Sequence, residues 1–260
     1  MRCEDVIRKL EELSPLSYAE SWDNPGLLAG RKDKEIKRIY VALDATTQTI
    51  EEAIRLRADM LLTHHPLIFK GIKKVNSDDF VGRRIMTLIQ NDICYYAMHT
   101  NFDVMGMADA AADILHLKQR EVLEITFEDE IAKEGFGRFG RLPQIMTLDE
   151  CAEYVKKVFR IEWVKVFGEP DTEVETAAIL PGSGKSMIGA AIGKGADILI
   201  TGDIDHHDGI DALERGMAVI DAGHFGLEQI FVPYMEEYIK REMTDVEVIM
   251  QKPESPFRIV

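Results

Sequence analysis

The sequence predicts an α/β fold of two similar halves related by internal duplication, each with a mixed sheet flanked by helices. Strand-like apolar runs alternate with helix-like segments along the chain. In addition, IYVALDATTQTIEEAIRLRADMLLTHH at residues 39–65 aligns without a gap to AAILPGSGKSMIGAAIGKGADILITGD at residues 177–203. Alternating strands and helices predict largely parallel pairing with right-handed crossovers. We expect a first half at residues 1–125 and a second half at residues 126–260 that interlock.

The chain begins with a predicted helix and continues with alternating strands and helices. Residues 1–13 form a predicted amphipathic helix with Val6, Leu10 and Leu13 on one side. Each repeat copy then reads as a strand, a polar turn, a helix and the strand motif ADxLxxT. The first copy is followed by a helix near residues 80–90 and a strand in CYYAMHTNFD, and the second by a helix near residues 208–215 and a strand in MAVIDAGHFGLE.

The segment between the halves carries its own signals. Thr147 and Glu150 have the spacing of a capping box, which predicts that a helix begins there. Gly135, Gly137 and Gly140 precede it, and we expect them to form a flexible entry into the second half. The alternative is that these glycines shape a binding loop.

Charge and cysteine content limit the classes of function. Forty-six acidic against thirty-one basic residues give a formal net charge of −15, which opposes binding to nucleic acid or to anionic lipid, so we expect no nucleic-acid or membrane partner. Three scattered cysteines indicate neither a disulfide framework nor a thiolate zinc site. The first residues lack a secretory pattern and no apolar run reaches membrane-spanning length, so we expect a cytoplasmic protein.

Two adjacent histidines end the apolar run ADMLLTHHPLIF. Neighbouring side chains in a strand point to opposite faces, so His64 and His65 can serve one site only where the strand ends, and Pro66 supplies that end. The carboxyl edge of an open α/β sheet is where ligands bind. A pair of half-exposed loop histidines is the alternative. The basic residues that follow, which either contact a phosphate or form a solvated face, are Lys70, Lys73, Lys74, Arg83 and Arg84.

The C-terminal motif GHFGLEQ places His224 and Glu228 one helical turn apart, at the expected start of the last helix. An imidazole and a carboxylate at that spacing can bind one metal. Adding His64, His65 and Asp103 gives three nitrogen and two carboxylate ligands, a set that suits two ions. We therefore expect two divalent transition-metal ions per chain, with zinc, iron, manganese, cobalt and nickel all compatible with these ligands.

A second polar cluster, DIDHHDG at residues 203–209, has a spacing that matches no standard metal cage. Because Asp203 aligns with His65 in the repeat, we expect this loop to supply outer-shell contacts, with Asp203 and His207 as the participants. A primary metal-binding role is the alternative.

Five motifs in order, SWDNPGLLAG, LLTHHPLIF, HTNFD, ILITGD and DAGHFGLE, resemble the Nif-three-like dinuclear metal centre family, whose members are often named GTP cyclohydrolase 1 type 2 homologues. The resemblance runs from the first helix to nearly the last. It implies that the metal ligands fall on His64, His65, Asp103, His224 and Glu228. It further implies a toroidal homohexamer with metal sites facing an internal cavity, and a short form without the domain that some members carry in mid-chain.

The function that the resemblance implies is hydrolysis of a small-molecule substrate, with GTP as the candidate nucleotide. The purine imidazole ring would open with loss of formate, and His99 would shuttle protons as general acid or base. His99 could instead orient Asp103. Residues 22–26 would form a loop near the metal opening, or alternatively a buried turn. Two other functions stay open: phosphoester hydrolysis at the same site, and a non-catalytic, metal-binding hexameric interaction protein.

Overall fold

The computed structural model describes residues 1–260, and the chain divides into two compact units. Unit 1 contains residues Met1–Phe102 and Phe231–Pro253, and unit 2 contains residues Asp103–Ile230 and Glu254–Val260. Each unit has one mixed sheet with flanking helices, which confirms the predicted α/β class. These bounds differ from the predicted halves 1–125 and 126–260, because a helix and a strand near the C-terminus return to the sheet of unit 1.

The strands, numbered along the chain, are β1 (Gly26–Ala29), β2 (Arg38–Ala42), β3 (Met60–Thr63), β4 (Cys94–Ala97), β5 (Lys118–Glu128), β6 (Lys133–Thr147), β7 (Lys165–Phe167), β8 (Glu173–Ser183), β9 (Ile198–Gly202), β10 (Ala218–Asp221) and β11 (Glu247–Met250). The helices are α1 (Cys3–Leu13), α2 (Thr47–Arg55), α3 (Phe80–Gln90), α4 (Thr100–Phe102), α5 (Ala108–Ile114), α6 (Leu148–Phe159), α7 (Ile188–Lys194), α8 (His206–Glu214), α9 (His224–Glu228) and α10 (Phe231–Glu242).

The sheet of unit 1 has the strand order β1-β4-β3-β2-β11. All neighbours are parallel except β1, which is antiparallel to β4 at the edge. Every residue of β3 and β4 is buried, as expected for parallel strands covered on both faces. α2 and α3 contribute Ile50, Ala53 and Leu88 to the apolar core beside Leu61 and Tyr95.

The sheet of unit 2 has the order β5-β6-β8-β9-β10-β7. β8, β9 and β10 are parallel to one another. β5 is antiparallel to β6, β6 is antiparallel to β8, and β7 is antiparallel to β10. The prediction of a flexible entry at Gly135, Gly137 and Gly140 is wrong, because all three lie within β6. β5 passes so close that a Cβ atom at Gly135 would collide with the carbonyl oxygen of Glu124, and Gly137 has a positive φ of 64°. These glycines therefore permit tight strand pairing.

The two aligned segments have the same strand register. Ile39 pairs with Met60 in the first segment, and Ala177 pairs with Ile198 in the second, so both members of the pair shift by the alignment offset. Each segment is a strand, a helix and a parallel strand.

The acidic residue of the ADxLxxT motif also has the same role in both segments. Asp59 Oδ2 accepts the backbone N–H groups of residues 37 and 38, each at 2.9 Å. Asp197 Oδ2 accepts those of residues 175 and 176, at 2.9 and 2.8 Å. This correspondence supports the predicted internal repeat, and its common origin stays a prediction.

Two predicted helices and one predicted helix cap are present in the structure. α1 buries Val6 and Leu10, and α3 spans the predicted residues 80–90. Thr147 and Glu150 form the predicted capping box of α6. No helix has the length and apolar character needed to span a membrane.

Candidate metal centre

His64 and His65 follow the last residue of β3 in unit 1. The backbone there is held by several hydrogen bonds: His65 N–H donates to Leu43 O at 3.0 Å, and the His65 carbonyl accepts from Thr63 Oγ1 at 2.8 Å and from Tyr95 Oη at 2.9 Å. The turn that follows Thr63 brings both rings to the same side, with centroids 4.8 Å apart. The carboxyl edge of this sheet thus presents two imidazoles together, as the sequence predicts.

Both rings are oriented through their Nδ1 atoms. His65 Nδ1 lies 2.8 Å from Asp44 Oδ1, and His64 Nδ1 lies 2.8 Å from the carbonyl oxygen of Met98. Neither a carboxylate nor a carbonyl oxygen carries a proton, so each Nδ1 is the N–H donor. Nε2 is then the ring nitrogen that presents a lone pair to a metal, which is the usual arrangement of histidine ligands.

His99 lies beside this pair in unit 1. Its ring centroid is 5.3 Å from that of His64 and 5.7 Å from that of His65, and one ligand nitrogen from each of the three rings lies within 4.8 Å of the others. Its Nδ1 donates to Asp23 Oδ1 at 2.8 Å. The loop at residues 22–26 therefore lies next to the imidazole cluster of unit 1.

Asp23 is a fully buried carboxylate. Burial alone would raise its pKa, but hydrogen bonds from His99 and Thr100 outweigh that effect and lower the pKa of Asp23 to about 2. The carboxylate is therefore ionised at neutral pH and keeps the Nδ1 proton of His99 in place.

Unit 2 contains a second ligand cluster. His224 is the first residue of α9, and its Nε2 lies 2.9 Å from Oε2 of Glu228 one turn later. Two donor atoms that share a metal at about 2.0–2.2 Å are separated by about 3 Å, so this distance fits a shared ion. His224 Nδ1 donates to Asp203 Oδ2 at 2.7 Å, which is the contact expected of an outer-shell residue.

Two glycines allow α9 to approach the sheet of unit 2. A Cβ atom at Gly182 would lie 2.6 Å from Glu228 Oε1, and one at Gly202 would lie 2.5 Å from the backbone nitrogen of His224. Gly182 also has a positive φ of 80°. At position 182 only glycine permits both the positive φ and the close approach of Glu228.

Asp103 is the first residue of unit 2 and opens a π-helical turn over Asp103–Met107. Such turns are rare and occur often at functional sites. A carboxylate oxygen of Asp103 lies within 4.8 Å of one of Glu228. Unit 2 thus presents two carboxylates and one imidazole.

Several comparisons place this chain among known proteins. A family model described as Duf34/NIF3 (NGG1p interacting factor 3) matches residues 1–256. The chain belongs to the Duf34/NIF3 family. This membership confirms the resemblance that the five motifs indicate.

Relatives of this Duf34/NIF3 chain carry the name GTP cyclohydrolase 1 type 2 homolog. One from Clostridium perfringens is 34% identical, with 100% of both chains covered. One from Bacillus subtilis is 27% identical over 348 aligned positions, more than the 260 residues present here, so that relative carries inserted residues. This chain is a short form.

Solved structures show the same fold. A Bacillus cereus protein related to NIF3 superposes with a TM-score of 0.90 and 25% identity, covering 100% of this chain and 99% of that one. Reduced HcgD from Methanocaldococcus jannaschii superposes with a TM-score of 0.83 and 32% identity, covering 96% of this chain and 97% of that one.

The side chains present in this family member fit a transition metal. Imidazole nitrogens with their Nδ1 atoms hydrogen-bonded and closely spaced carboxylates form a borderline donor set. The chain therefore contains His, Asp and Glu groups that can hold a metal. The set does not select among zinc, iron, manganese, cobalt and nickel.

Other predicted residues have different surroundings. His207 is exposed, and its ring packs edge-on against His206 with centroids 5.2 Å apart. Of the basic cluster, Arg84 is half-buried whereas Arg83, Lys73 and Lys74 are exposed.

Sequence reasoning missed Asp44, Gly182 and Gly202. The repeat contained a signal for two of them. Asp44 aligns with Gly182, and each follows the buried residues of a strand whose carboxyl end faces the candidate site of its unit.

Proposed function

We propose that this chain binds two divalent transition-metal ions and hydrolyses a small-molecule substrate beside them. The proposed ligands are His64, His65, Asp103, His224 and Glu228. One observation carries the proposal: each of the three histidines donates its Nδ1 proton to an oxygen acceptor, so that each is in the tautomer that binds metal through Nε2.

The proposal requires that ligands from unit 1 and from unit 2 bind the same pair of ions. Family membership supports it, as does the order of the motifs. The chain also supports it, because Asp103 directly follows Phe102, the end of the first segment of unit 1, and His99 is only four residues earlier.

Two bound ions would supply Lewis acidity and lower the pKa of water. The residues of the chain have other tasks. Asp44 and the Met98 carbonyl hold the imidazoles of His65 and His64 in fixed orientations. His99 is the proposed general acid or base, because Asp23 holds its Nδ1 proton and directs proton transfer to Nε2.

GTP is the first substrate to test, because relatives are named GTP cyclohydrolase 1 type 2 homologs. The proposed reaction consumes two waters: the first opens the imidazole ring of the purine to a formamide, and the second hydrolyses that formamide to formate and an amine. His99 would move protons between the attacking water and the departing nitrogen.

The test combines metal analysis with product analysis on one preparation. We expect about two ions per chain and formate release from GTP that is lost in Asp103→Ala, which removes a proposed ligand. The control is Asp171→Ala, which removes an exposed carboxylate of the same unit. Fewer than about one ion per chain would contradict the proposal.

The same experiment separates the alternatives. Release of phosphate without formate would identify a phosphoesterase. Two bound ions without turnover of nucleotides or phosphoesters would identify a metal-holding interaction protein. We also propose, from family resemblance, that the chain assembles as a homohexamer. A cytoplasmic location is a separate proposal.

A further inference from the structure

A groove of about 530 Å³ opens beside His65 in unit 1. One wall is the loop that follows the histidine pair, and the other comprises the start of α2 and the first turn of α3. Most of the lining is apolar, with Leu67, Phe69 and Phe80 among its members. Phe69 and Phe80 are 47% and 55% exposed, so their rings are available to a ligand.

Arg84 is the guanidinium in this lining. It donates to Thr47 Oγ1 at 3.1 Å, its guanidinium carbon lies 4.8 Å from the ring centroid of Phe80, and it forms no salt bridge. Burial lowers its pKa from the ordinary value. The negative charge of Asp44 opposes this shift, but burial outweighs it, so Arg84 is a half-buried cation whose loss of hydration is only partly offset.

The two carboxylates of the groove already have partners. Asp79 accepts the N–H groups of Val81 and Gly82 as the N-cap of α3, at 2.8 and 2.9 Å. Asp44 accepts from His65. Lys70 lines the groove as well and is exposed. The lining therefore contains two cations, Arg84 and Lys70, beside two carboxylates that already accept hydrogen bonds, together with the proposed metal ligand His65.

We propose that this groove binds the substrate as a nucleoside phosphate, with the phosphate on Arg84 and the base against Phe69, next to His65. Guanidinium groups recognise phosphate through paired hydrogen bonds, and bases stack on aromatic side chains. The assignment rests on the proposed function and deepens it, because it places the reacting base against Phe69, whose ring centroid lies 5.9 Å from that of the proposed general acid or base His99.

The test measures binding of guanosine 5′-monophosphate and of guanosine by isothermal titration calorimetry. We expect the wild-type protein to prefer the phosphorylated compound. Arg84→Gln should weaken binding of guanosine 5′-monophosphate about 10- to 100-fold, since a charged hydrogen bond is lost, and leave guanosine unchanged. The matched control is Arg83→Gln, which removes an exposed guanidinium from the same helix and should bind as the wild type.

Equal binding by wild type and Arg84→Gln would overturn the proposal, as would equal losses in the two glutamine variants or no binding by the wild type. Thermal unfolding of each variant, with Arg84→Lys as a second substitution that should retain part of the affinity, separates loss of the contact from loss of folding. Metal content measured on the same samples distinguishes the two proposals. Binding that depends on Arg84 in protein without metal would support the groove and contradict the proposed two-metal function. Two bound ions with binding that does not depend on Arg84 would support the two-metal function and contradict the groove.

Discussion

At the scale of single residues, the tautomer and orientation of each site histidine are fixed by the oxygen atom that accepts its Nδ1 proton. Asp44, the Met98 carbonyl, Asp23 and Asp203 each accept an Nδ1 proton. These acceptors come from loops that follow strands or lie far away in sequence. A pattern of histidines and carboxylates can be found in a sequence, but the acceptors that orient it depend on the folded backbone.

The Asp23 carboxylate makes a testable contribution to stability. Its pKa is lowered from an ordinary value of 3.8 to about 2, so its stabilisation is fully present above pH 4 and is lost as the pH falls to about 2. We expect the wild type to lose about 2 kcal/mol of unfolding free energy in this window that Asp23→Asn does not lose. Urea unfolding at several pH values measures the difference.

The control for this comparison is Asp33→Asn, whose side chain is 73% exposed. It should follow the pH dependence of the wild type. Identical pH profiles for the wild type and Asp23→Asn would show that the His99–Asp23 contact does not stabilise the fold.

Gly182 tests the close approach of Glu228. Gly182→Ala adds a Cβ atom 2.6 Å from Glu228 Oε1 at a positive φ, which should cost about 1–3 kcal/mol of stability and displace the carboxylate. We expect metal affinity to fall by about tenfold or more, measured by competition with a chelator.

Gly189→Ala is the matched control, because nothing lies within 4 Å of a Cβ atom there. It lies in α7 and should gain up to about 1 kcal/mol from helix propensity, with metal affinity unchanged. If Gly182→Ala binds metal as tightly as Gly189→Ala, then the observed position of Glu228 is not required for metal binding.

At the scale of elements, the local patterns predicted most of what surrounds the site. α3 spans the residues where the sequence predicts a helix, and the repeat predicts the parallel pairing of β2 with β3 and of β8 with β9. The pairing of β11 with β2 was not predictable, because these strands are about two hundred residues apart and no local signal states which edge a short strand joins. The position of β6 was also not predictable. Its glycines resemble those of a flexible segment in the sequence, and only the pairing with β5 explains them.

The capping box of α6 provides a test of local structure separate from the site. Thr147 Oγ1 accepts from Glu150 N–H at 3.3 Å, and Glu150 Oε2 accepts from Thr147 N–H at 2.9 Å. Thr147→Ala should cost about 1 kcal/mol and lower Tm by about 2–4 °C. Differential scanning calorimetry checks this value. Thr147→Ser should restore most of the loss, and unchanged Tm in the alanine variant would contradict the assigned cap.

At the scale of the whole molecule, each unit has its own cluster of candidate ligands. Unit 1 holds imidazoles, and unit 2 holds two carboxylates and an imidazole. This division explains why the sequence shows ligands at both ends of the chain. The number of ligands exceeds the need of one ion, which is the basis for proposing two.

Assembly is also a property of this scale. Family resemblance predicts a homohexamer, so light scattering coupled to size-exclusion chromatography should give a mass six times that of the chain. A monomer or dimer at micromolar concentration would contradict this prediction.

We propose that the ligands of the two units bind one pair of ions. A crystal grown with zinc and measured at the zinc absorption edge tests it most directly. We expect two anomalous peaks per chain, coordinated by His64 and His65 from unit 1 together with Asp103, His224 and Glu228 from unit 2. A single peak, or peaks coordinated by residues of one unit alone, would contradict it.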